Sequence, residues 1–226
     1  MEIFVDSADV KEIERWVKMG IADGVTTNPS IMLKDGVYDM EKGAKEIAAL
    51  VHPRPVSIEV TTNDLDEMVA QAQKFASWAP NIVIKIPQIT QDGEPCYGVM
   101  RQLESEGIKV NATIALSLGQ VILAAKAGAT FISIFTGRVS DEGGNAPEVI
   151  RNSVEWLGHW KYESRIIVGS IRSVADIIQA AIAGAHIITI PPQFLTQMVD
   201  HKYTRDTVRQ FVTDAKKALE MMATKI

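Results

Sequence analysis

The run Val83-Ile84-Lys85-Ile86-Pro87 places an amine inside an apolar, strand-forming segment, where an unpaired ammonium is costly to bury. Burial disfavours the charged form of an amine, and the neutral form is the one that attacks a carbonyl carbon to make a Schiff base. Lys85 is therefore either the nucleophile of imine chemistry or a strand-end lysine that snorkels to solvent or pairs with a carboxylate. Other reactive groups stand in comparable places. Asp6 ends Ile3-Phe4-Val5-Asp6, Gly24-Val25 runs into Thr26-Thr27-Asn28-Pro29-Ser30, and Glu59 sits inside Ser57-Ile58-Glu59-Val60. Asn111 and Thr113 are two residues apart and share one face of an extended segment, as do Ser133 and Phe135. Arg138 follows shortly after Phe135, Ser170 and Arg172 follow Gly169, and Thr189 stands near the end of a last apolar run. An amine, two carboxylates, amides, hydroxyls and two guanidiniums together can activate a carbonyl, move protons, orient hydroxyls and hold an anion.

Taken one at a time, each has a local explanation. Asp6 could cap a helix starting near Ser7, and Thr26 to Ser30 could be only a turn, as Asn-Pro commonly is. A carboxylate in an alternating run, such as Glu59, is paired, exposed at the strand tip, or catalytic. Asn111 and Thr113 could be satisfied polar groups at a strand terminus, Ser133 could simply be small, and Arg138 and Arg172 could be surface ion-pair residues. The local explanations lose ground together, because they must all apply at the same kind of position.

That position is set by the elements. Short strand-like runs at 3–6, 24–26, 56–60, 82–85, 109–111, 131–133, 165–169 and 186–190 alternate with segments of helical period, the pattern of a parallel sheet with crossover helices. Val10, Ile13 and Val17 share one helical face; Val69, Ala72 and Ala76 make a second, and Ile177, Ile178 and Ala181 a third. The echo of Ala124 to Ala129 in Ala180 to Ala185, each with Gly before its last Ala, marks repeated helix-to-strand junctions. Eight such strands predict an α/β fold, a (β/α)8 TIM barrel, with an additional C-terminal helix at 203–226 whose apolar stripe is Val208, Phe211, Ala215 and Leu219. In that architecture the carboxyl ends of the strands meet at one mouth, so residues far apart in sequence converge there.

Composition narrows the function classes. The 226 residues, 46% of them hydrophobic, suffice for one barrel domain. A net charge of -5 and a pI near 5.4, with no basic block, argue against nucleic acid as a partner. One cysteine, Cys96, excludes an internal disulfide, and the four histidines show no metal-binding spacing. Neither a leader-like start nor an apolar run of membrane-spanning length is evident, so the expectation is a cytoplasmic protein with no membrane partner.

The motifs Phe4-Val5-Asp6, Asp23-Gly24-Val25-Thr26-Thr27-Asn28-Pro29-Ser30, Ile84-Lys85-Ile86-Pro87, Val110-Asn111-Ala112-Thr113, Ser133-Ile134-Phe135-Thr136-Gly137-Arg138 and Gly169-Ser170-Ile171-Arg172, in this order, resemble the transaldolase family. The likeness is to its short-chain members and the related fructose 6-phosphate aldolases, over essentially the whole chain. The resemblance implies a single class I aldolase-type barrel domain over 1–226, in a homo-oligomer that is a pentamer or a ten-subunit ring. It implies imine formation at Lys85 without cofactor or metal, Asp6 as the acid/base, and Glu59 with Thr113 holding a proton-shuttling water. Thr26, Asn28, Asn111, Ser133 and Phe135 would line the sugar site, and Arg138, Ser170 and Arg172 would bind the anionic end of ketose and aldose substrates.

Two positions separate the branches of that family. The aldolase branch carries Gln where Glu59 stands and a catalytic Tyr where Phe135 stands; this chain has neither, and a phenyl ring has no proton to give a carbanion. The resemblance therefore implies transfer of a dihydroxyacetone unit rather than simple aldol cleavage. Two departures bear on the substrate: the segment from Gln88 to Tyr97 is longer than the family leads one to expect, and Ile134 replaces the usual proline. Arginines recognise sulfonate as well as phosphate, so the donor is fructose 6-phosphate, in the pentose phosphate pathway, or 6-deoxy-6-sulfofructose, in sulfosugar metabolism. Rival readings are a fructose 6-phosphate lyase, a barrel isomerase in which Glu59 moves a proton and Lys85 only stabilises charge, and a non-catalytic barrel that binds an anionic metabolite.

Overall fold

The computed structural model describes residues 1–223. The chain forms two compact units, Met1–Pro192 and Gln193–Ile226. In the first, eight parallel strands close a barrel in sequence order: β1 (Glu2–Asp6), β2 (Gly24–Thr26), β3 (Val56–Glu59), β4 (Ile82–Pro87), β5 (Val110–Ala115), β6 (Phe131–Phe135), β7 (Arg165–Gly169) and β8 (Ile187–Ile190). The expected (β/α)8 barrel is what the chain adopts. The connections are α1 (Val10–Lys18), α2 (Pro29–Lys34), α3 (Met40–Val51), α4 (Leu65–Ala76), α5 (Tyr97–Ser105), α6 (Leu118–Lys126), α7 (Thr136–Asp141), α8 (Ala146–Trp160) and α9 (Val174–Ile182). In the second unit, α10 (Pro192–Val199) begins at the boundary residue and α11 (Lys202–Ala223) follows. The predicted C-terminal helix corresponds to α11, with residues 224–226 outside the described part. Its stripe residues Val208, Phe211 and Leu219 are exposed. Among the described residues no helix is long and apolar enough to cross a membrane.

Local chemistry starts and stops the helices. Asp9, Asp39, Asp64, Ser117, Asn145 and Ser173 each accept a backbone N–H of the first turn of the helix they precede, satisfying donors that a helix cannot pair internally. Gly128 and Gly184 both have φ +93, the left-handed conformation that ends α6 and α9 and that a side chain would oppose. All three predicted barrel stripes are displaced; on α1 the buried residues are Ile13 and Trp16, with Val10 and Val17 half-buried. On α4 the buried residues are Met68, Ala72 and Phe75, and on α9 they are Ile177 and Ala180, while Ile178 is 51% exposed. A helix lying on a sheet buries only a narrow arc, and where flanking residues are also apolar the sequence pattern leaves its centre open by one position.

Strands β4, β5 and β6 extend further at their carboxyl ends than their apolar runs suggest. Pro87 pairs with Thr113 and Phe135 with Gly169, so the ladder carries polar site residues past the point where apolar alternation stops. The register of β5 against β6 shifts between Ala112 and Ala115, and Ile114 within the shift has φ +60, a bulge with a β-branched residue in a region such residues avoid.

The barrel interior is layered. Phe4, Val83, Phe131, Ile167 and Ile187 form one buried cluster, with Phe4 and Phe131 edge to face at 6.3 Å between ring centroids. Side chains alternate along a strand, so the residue two further along each of these strands points into the next layer: Asp6, Lys85, Ser133, Gly169 and Thr189. An apolar floor thus lies beneath a polar layer. Gly24 makes room for that floor, since a Cβ there would stand 2.7 Å from the Phe4 ring. Gly24→Ala is expected to destabilise the protein by about 1–3 kcal/mol through overpacking; a shift in the urea midpoint at unchanged slope measures it.

Candidate active site

The polar layer opens into a cavity of ≈160 Å³ lined by Asp6, Thr26, Asn28, Lys85, Ser133, Phe135, Arg138, Gly169, Ser170 and Thr189. Nine of the residues singled out from the sequence meet there, all but Gly169 of those named. The other mouth holds a larger cavity, ≈500 Å³, at the amino ends of the strands, but its Glu2 is paired with Arg165 at 2.9 Å and none of the sequence-derived site residues reaches it.

Lys85 is 4% exposed. Its Nζ lies 2.8 Å from Glu59 Oε2 and donates to the Thr27 carbonyl at 2.9 Å. The lysine is paired with a carboxylate, one of the alternatives in the sequence reading, and it also lines the cavity. The strand register makes this contact: Glu59 on β3 lies directly opposite Lys85 on β4. Glu59 itself does not line the cavity.

Asp6 does not cap α1; Asp9 does, accepting from Lys11 and Glu12 N–H. Asp6 instead faces the cavity, with its Oδ1 accepting from Thr26 Oγ1 at 2.7 Å. Burial pushes its carboxyl above the usual carboxylate range, against the Thr26 hydrogen bond and the charge of Lys85, which pull it down. Thr26 Oγ1 is also hydrogen-bonded to Thr189 Oγ1.

Asn28 is more than the turn residue the sequence allowed. It caps α2, its Oδ1 accepting from Ile31 N–H at 2.8 Å, and it lines the cavity. Asn111, fully buried, accepts from Ser133 Oγ at 2.7 Å and donates to Ser57 Oγ at 3.3 Å. It stands behind Ser133 and does not reach the cavity surface. Thr113 is also behind that surface, and its buried Oγ1 has no hydrogen-bond partner among the described residues.

The residues expected to bind an anion are arranged differently from a simple two-arginine clamp. Arg138 and Ser170 line the cavity, whereas Arg172 does not. The Arg172 guanidinium donates from both terminal nitrogens to Asp141, at 2.5 and 2.6 Å, which holds the Asp141 carboxyl below its usual range. Arg138 is 3.6 Å from the same carboxylate. Ser170 adopts φ +58, uncommon for a residue with a side chain and typical of binding rims. Its carbonyl accepts the Gly137 N–H at 3.2 Å, and a Cβ on Gly137 would stand 2.6 Å from that carbonyl and from Arg172 Nε. Glycine is required between Thr136 and Arg138 for this close approach.

The long segment after β4 is a small hairpin. Ile89 bridges to Pro95, Gly93 turns it at φ +87, and Gln91 N–H and Asp92 are hydrogen-bonded to the Asn63 side chain in the preceding βα loop. Several contributors carry little sequence signal. The Thr27 carbonyl has none, being backbone. Ser57 shares the face of Glu59, and Asp141 lies three residues after Arg138 on α7, so spacing alone could have flagged both.

The family model described as Transaldolase/Fructose-6-phosphate aldolase matches residues 3–225. The chain is 38% identical over 216 residues to a probable transaldolase of Dehalococcoides mccartyi, covering 96% of this chain and 98% of that protein. It is 42% identical over 214 residues to one of Streptococcus agalactiae serotype V, covering 95% and 97%, and 39% over 223 to one of Bartonella henselae, covering 99% and 100%. Among solved structures it resembles a thiamine phosphate pyrophosphorylase from Pyrococcus furiosus, with TM-score 0.58, 12% identity and coverage of 84% of this chain and 85% of that one. That likeness concerns the barrel alone. The barrel, the buried lysine at its carboxyl mouth and full-length relatives of this kind converge on one conclusion: the chain belongs to the transaldolase/fructose-6-phosphate aldolase family and is an enzyme of the transaldolase type.

Proposed function

We propose that the enzyme moves a dihydroxyacetone unit from an anionic ketose to an aldehyde through a Schiff base at Lys85. The observation that carries this reading is the buried Lys85 Nζ, held between Glu59 and the Thr27 carbonyl beside a polar cavity. Glu59 is placed to take a proton from the ammonium, leaving the amine to add to the ketone carbon; loss of water then gives the protonated imine. Asp6 takes the proton from the hydroxyl beyond the scissile bond as that bond breaks. The bonding electrons move into the imine, the shortened aldehyde departs, and a three-carbon enamine remains on Lys85. Addition to a second aldehyde returns the proton from Asp6, and hydrolysis frees the lengthened ketose. Thr113, with a buried hydroxyl not engaged by the described residues, joins Glu59 in handling the water that leaves and returns.

Thr26, Asn28 and Ser133 orient the hydroxyls of the three-carbon unit, with Asn111 fixing the Ser133 hydroxyl from behind. Phe135 lines the cavity and offers no proton to the enamine, which favours transfer over release. Arg138 and Ser170 receive the anion, with Arg172 behind them. One observation supports a sulfonate donor as a second reading: Asp141 offsets one of the two guanidinium charges, leaving a single net positive charge that matches a monoanion.

Intact mass after borohydride treatment with fructose 6-phosphate, and separately with 6-deoxy-6-sulfofructose, tests the chemistry. A reduced adduct is expected on the wild type and none on Lys85→Ala, and the more efficient donor identifies the anion. An unmodified wild type with both donors would favour the isomerase or binding readings. Without an acceptor aldehyde, free dihydroxyacetone is expected to accumulate slowly, and Phe135→Tyr is expected to speed its release.

The raised carboxyl of Asp6 makes a stability prediction with a definite sign. A carboxyl raised in the folded state favours the protonated fold, so its contribution is fully present below the ordinary value of 3.8 and is lost as pH rises through the folded value. Asp6→Asn is therefore expected to melt at a higher temperature than the wild type at pH 7, with the difference shrinking toward pH 3, while activity falls by about 10²-fold or more. Equal melting temperatures at pH 7 would contradict the burial argument.

A further inference from the structure

The Asp6 carboxylate ends a hydrogen-bond relay that crosses three adjacent strands. Thr26 Oγ1 donates to Asp6 Oδ1 at 2.7 Å. A threonine hydroxyl has one proton and can accept through its lone pairs, so with that proton given to Asp6, Thr26 Oγ1 accepts from Thr189 Oγ1, its other hydrogen-bond partner. The direction of both bonds is thereby fixed, from β8 through β2 to β1. The strand pairing supports the arrangement: Asp6 lies opposite Thr26, and Phe4, two residues before Asp6, lies opposite Thr189.

Thr189 is 5% exposed and lines the cavity. On its other side stands Gly169, where a Cβ would be 3.3 Å from the Thr189 methyl carbon. The methyl thus fills the space a glycine leaves, and the hydroxyl is turned toward Thr26. The hydrogen bond from Thr26 is made to Oδ1 of Asp6, the other carboxyl oxygen being Oδ2.

We infer that Thr189 is a positioning residue for proton transfer at Asp6: by donating to Thr26 it commits the single Thr26 proton to Oδ1 and leaves Oδ2 as the oxygen that takes and returns the substrate proton. This rests on the role proposed above for Asp6. In the forward step the proton passes from the substrate hydroxyl to Oδ2 while the carbon–carbon electrons pass to the imine; in the return step both movements reverse.

Without the Thr189 donor, the Thr26 hydroxyl is no longer polarised by an accepted hydrogen bond, so the bond it gives Asp6 weakens and the carboxylate loses part of the hydrogen bonding that favours its charged form. The other charged groups around it are unaltered by such a change. They are Lys85 on β4, paired with Glu59 on β3, and Lys34 with Asp35 at the end of α2, where Asp35 is occupied by Ser7 Oγ and Ala8 N–H.

The test is the pH dependence of kcat/KM in Thr189→Val, which keeps the shape and removes the hydroxyl, and in Thr189→Ser, which keeps the donor. The acid limb is expected to move to higher pH in Thr189→Val, with a loss of about three- to tenfold on that limb and a much smaller loss on the alkaline plateau. Thr189→Ser is expected to restore the wild-type profile. Borohydride trapping of the ketose at Lys85 is expected to be undiminished in both, because imine formation does not use Asp6. If Thr189→Val does not fold, Thr189→Ala removes the same donor without adding an atom and is read identically. An unmoved acid limb, or a serine variant that behaves like the valine variant, overturns the inference. Failure of wild type to trap at all would instead overturn the Schiff-base reading.

Discussion

The ion pair between Lys85 and Glu59 is the contact around which the barrel mouth is organised. Two charges taken out of water recover their desolvation cost only with close geometry and further hydrogen bonds, and here the pairing is at 2.8 Å with the Thr27 carbonyl as an additional acceptor. Removing one partner of such a pair costs about 3–5 kcal/mol in comparable interiors, because the other is left uncompensated. Strands β3 and β4 must therefore keep the register that sets Glu59 opposite Lys85. A slip of either strand by one residue would turn its charge away from the other and leave the pair broken.

Beneath that pair lies the apolar floor of Phe4, Val83, Phe131, Ile167 and Ile187. It fills the barrel beneath Lys85 and Asp6, which line the cavity above it. The same enclosure lifts the Asp6 carboxyl and strengthens every hydrogen bond aimed at it. Floor and site are consecutive layers of one alternation, and the dry environment that tunes the reactive groups is built by residues two positions before them on the same strands.

Strain gathers at the rim. Ile114 and Ser170 hold positive φ without being glycine, the first beside Thr113 in a bulge and the second at the wall of the cavity beside Arg138. Gly137 is held tightly under Ser170 and Arg172, so the turn that presents Arg138 depends on a residue without a side chain. Asp141 meanwhile occupies the fork of Arg172. Arg138, Asp141 and Arg172 thus form a balanced cluster of charges rather than two unpaired cations.

Much of this was legible in the sequence. Alternation of apolar runs with helical segments determined the barrel, because parallel strands buried on both faces leave a distinct signature. The amine of Lys85 and the carboxyl of Asp6 at strand ends, with Asn28, Ser133 and Arg138, were legible as residues that converge, because a barrel brings those ends to one mouth, and they do line one cavity. The sequence stopped short where a contact depends on register, backbone or competition among partners. Only the tertiary structure decided that Asp9 rather than Asp6 caps α1, that Asn111 and Thr113 stand behind the cavity, that the Thr27 backbone supports Lys85, and that Arg172 is taken by Asp141. It also decided which arc of α9 is buried and that Thr189 reaches Thr26 across the first and last strands. A linear pattern records which residues share a face; it does not record which of several neighbours a donor chooses once the barrel closes and brings the two ends of the chain together.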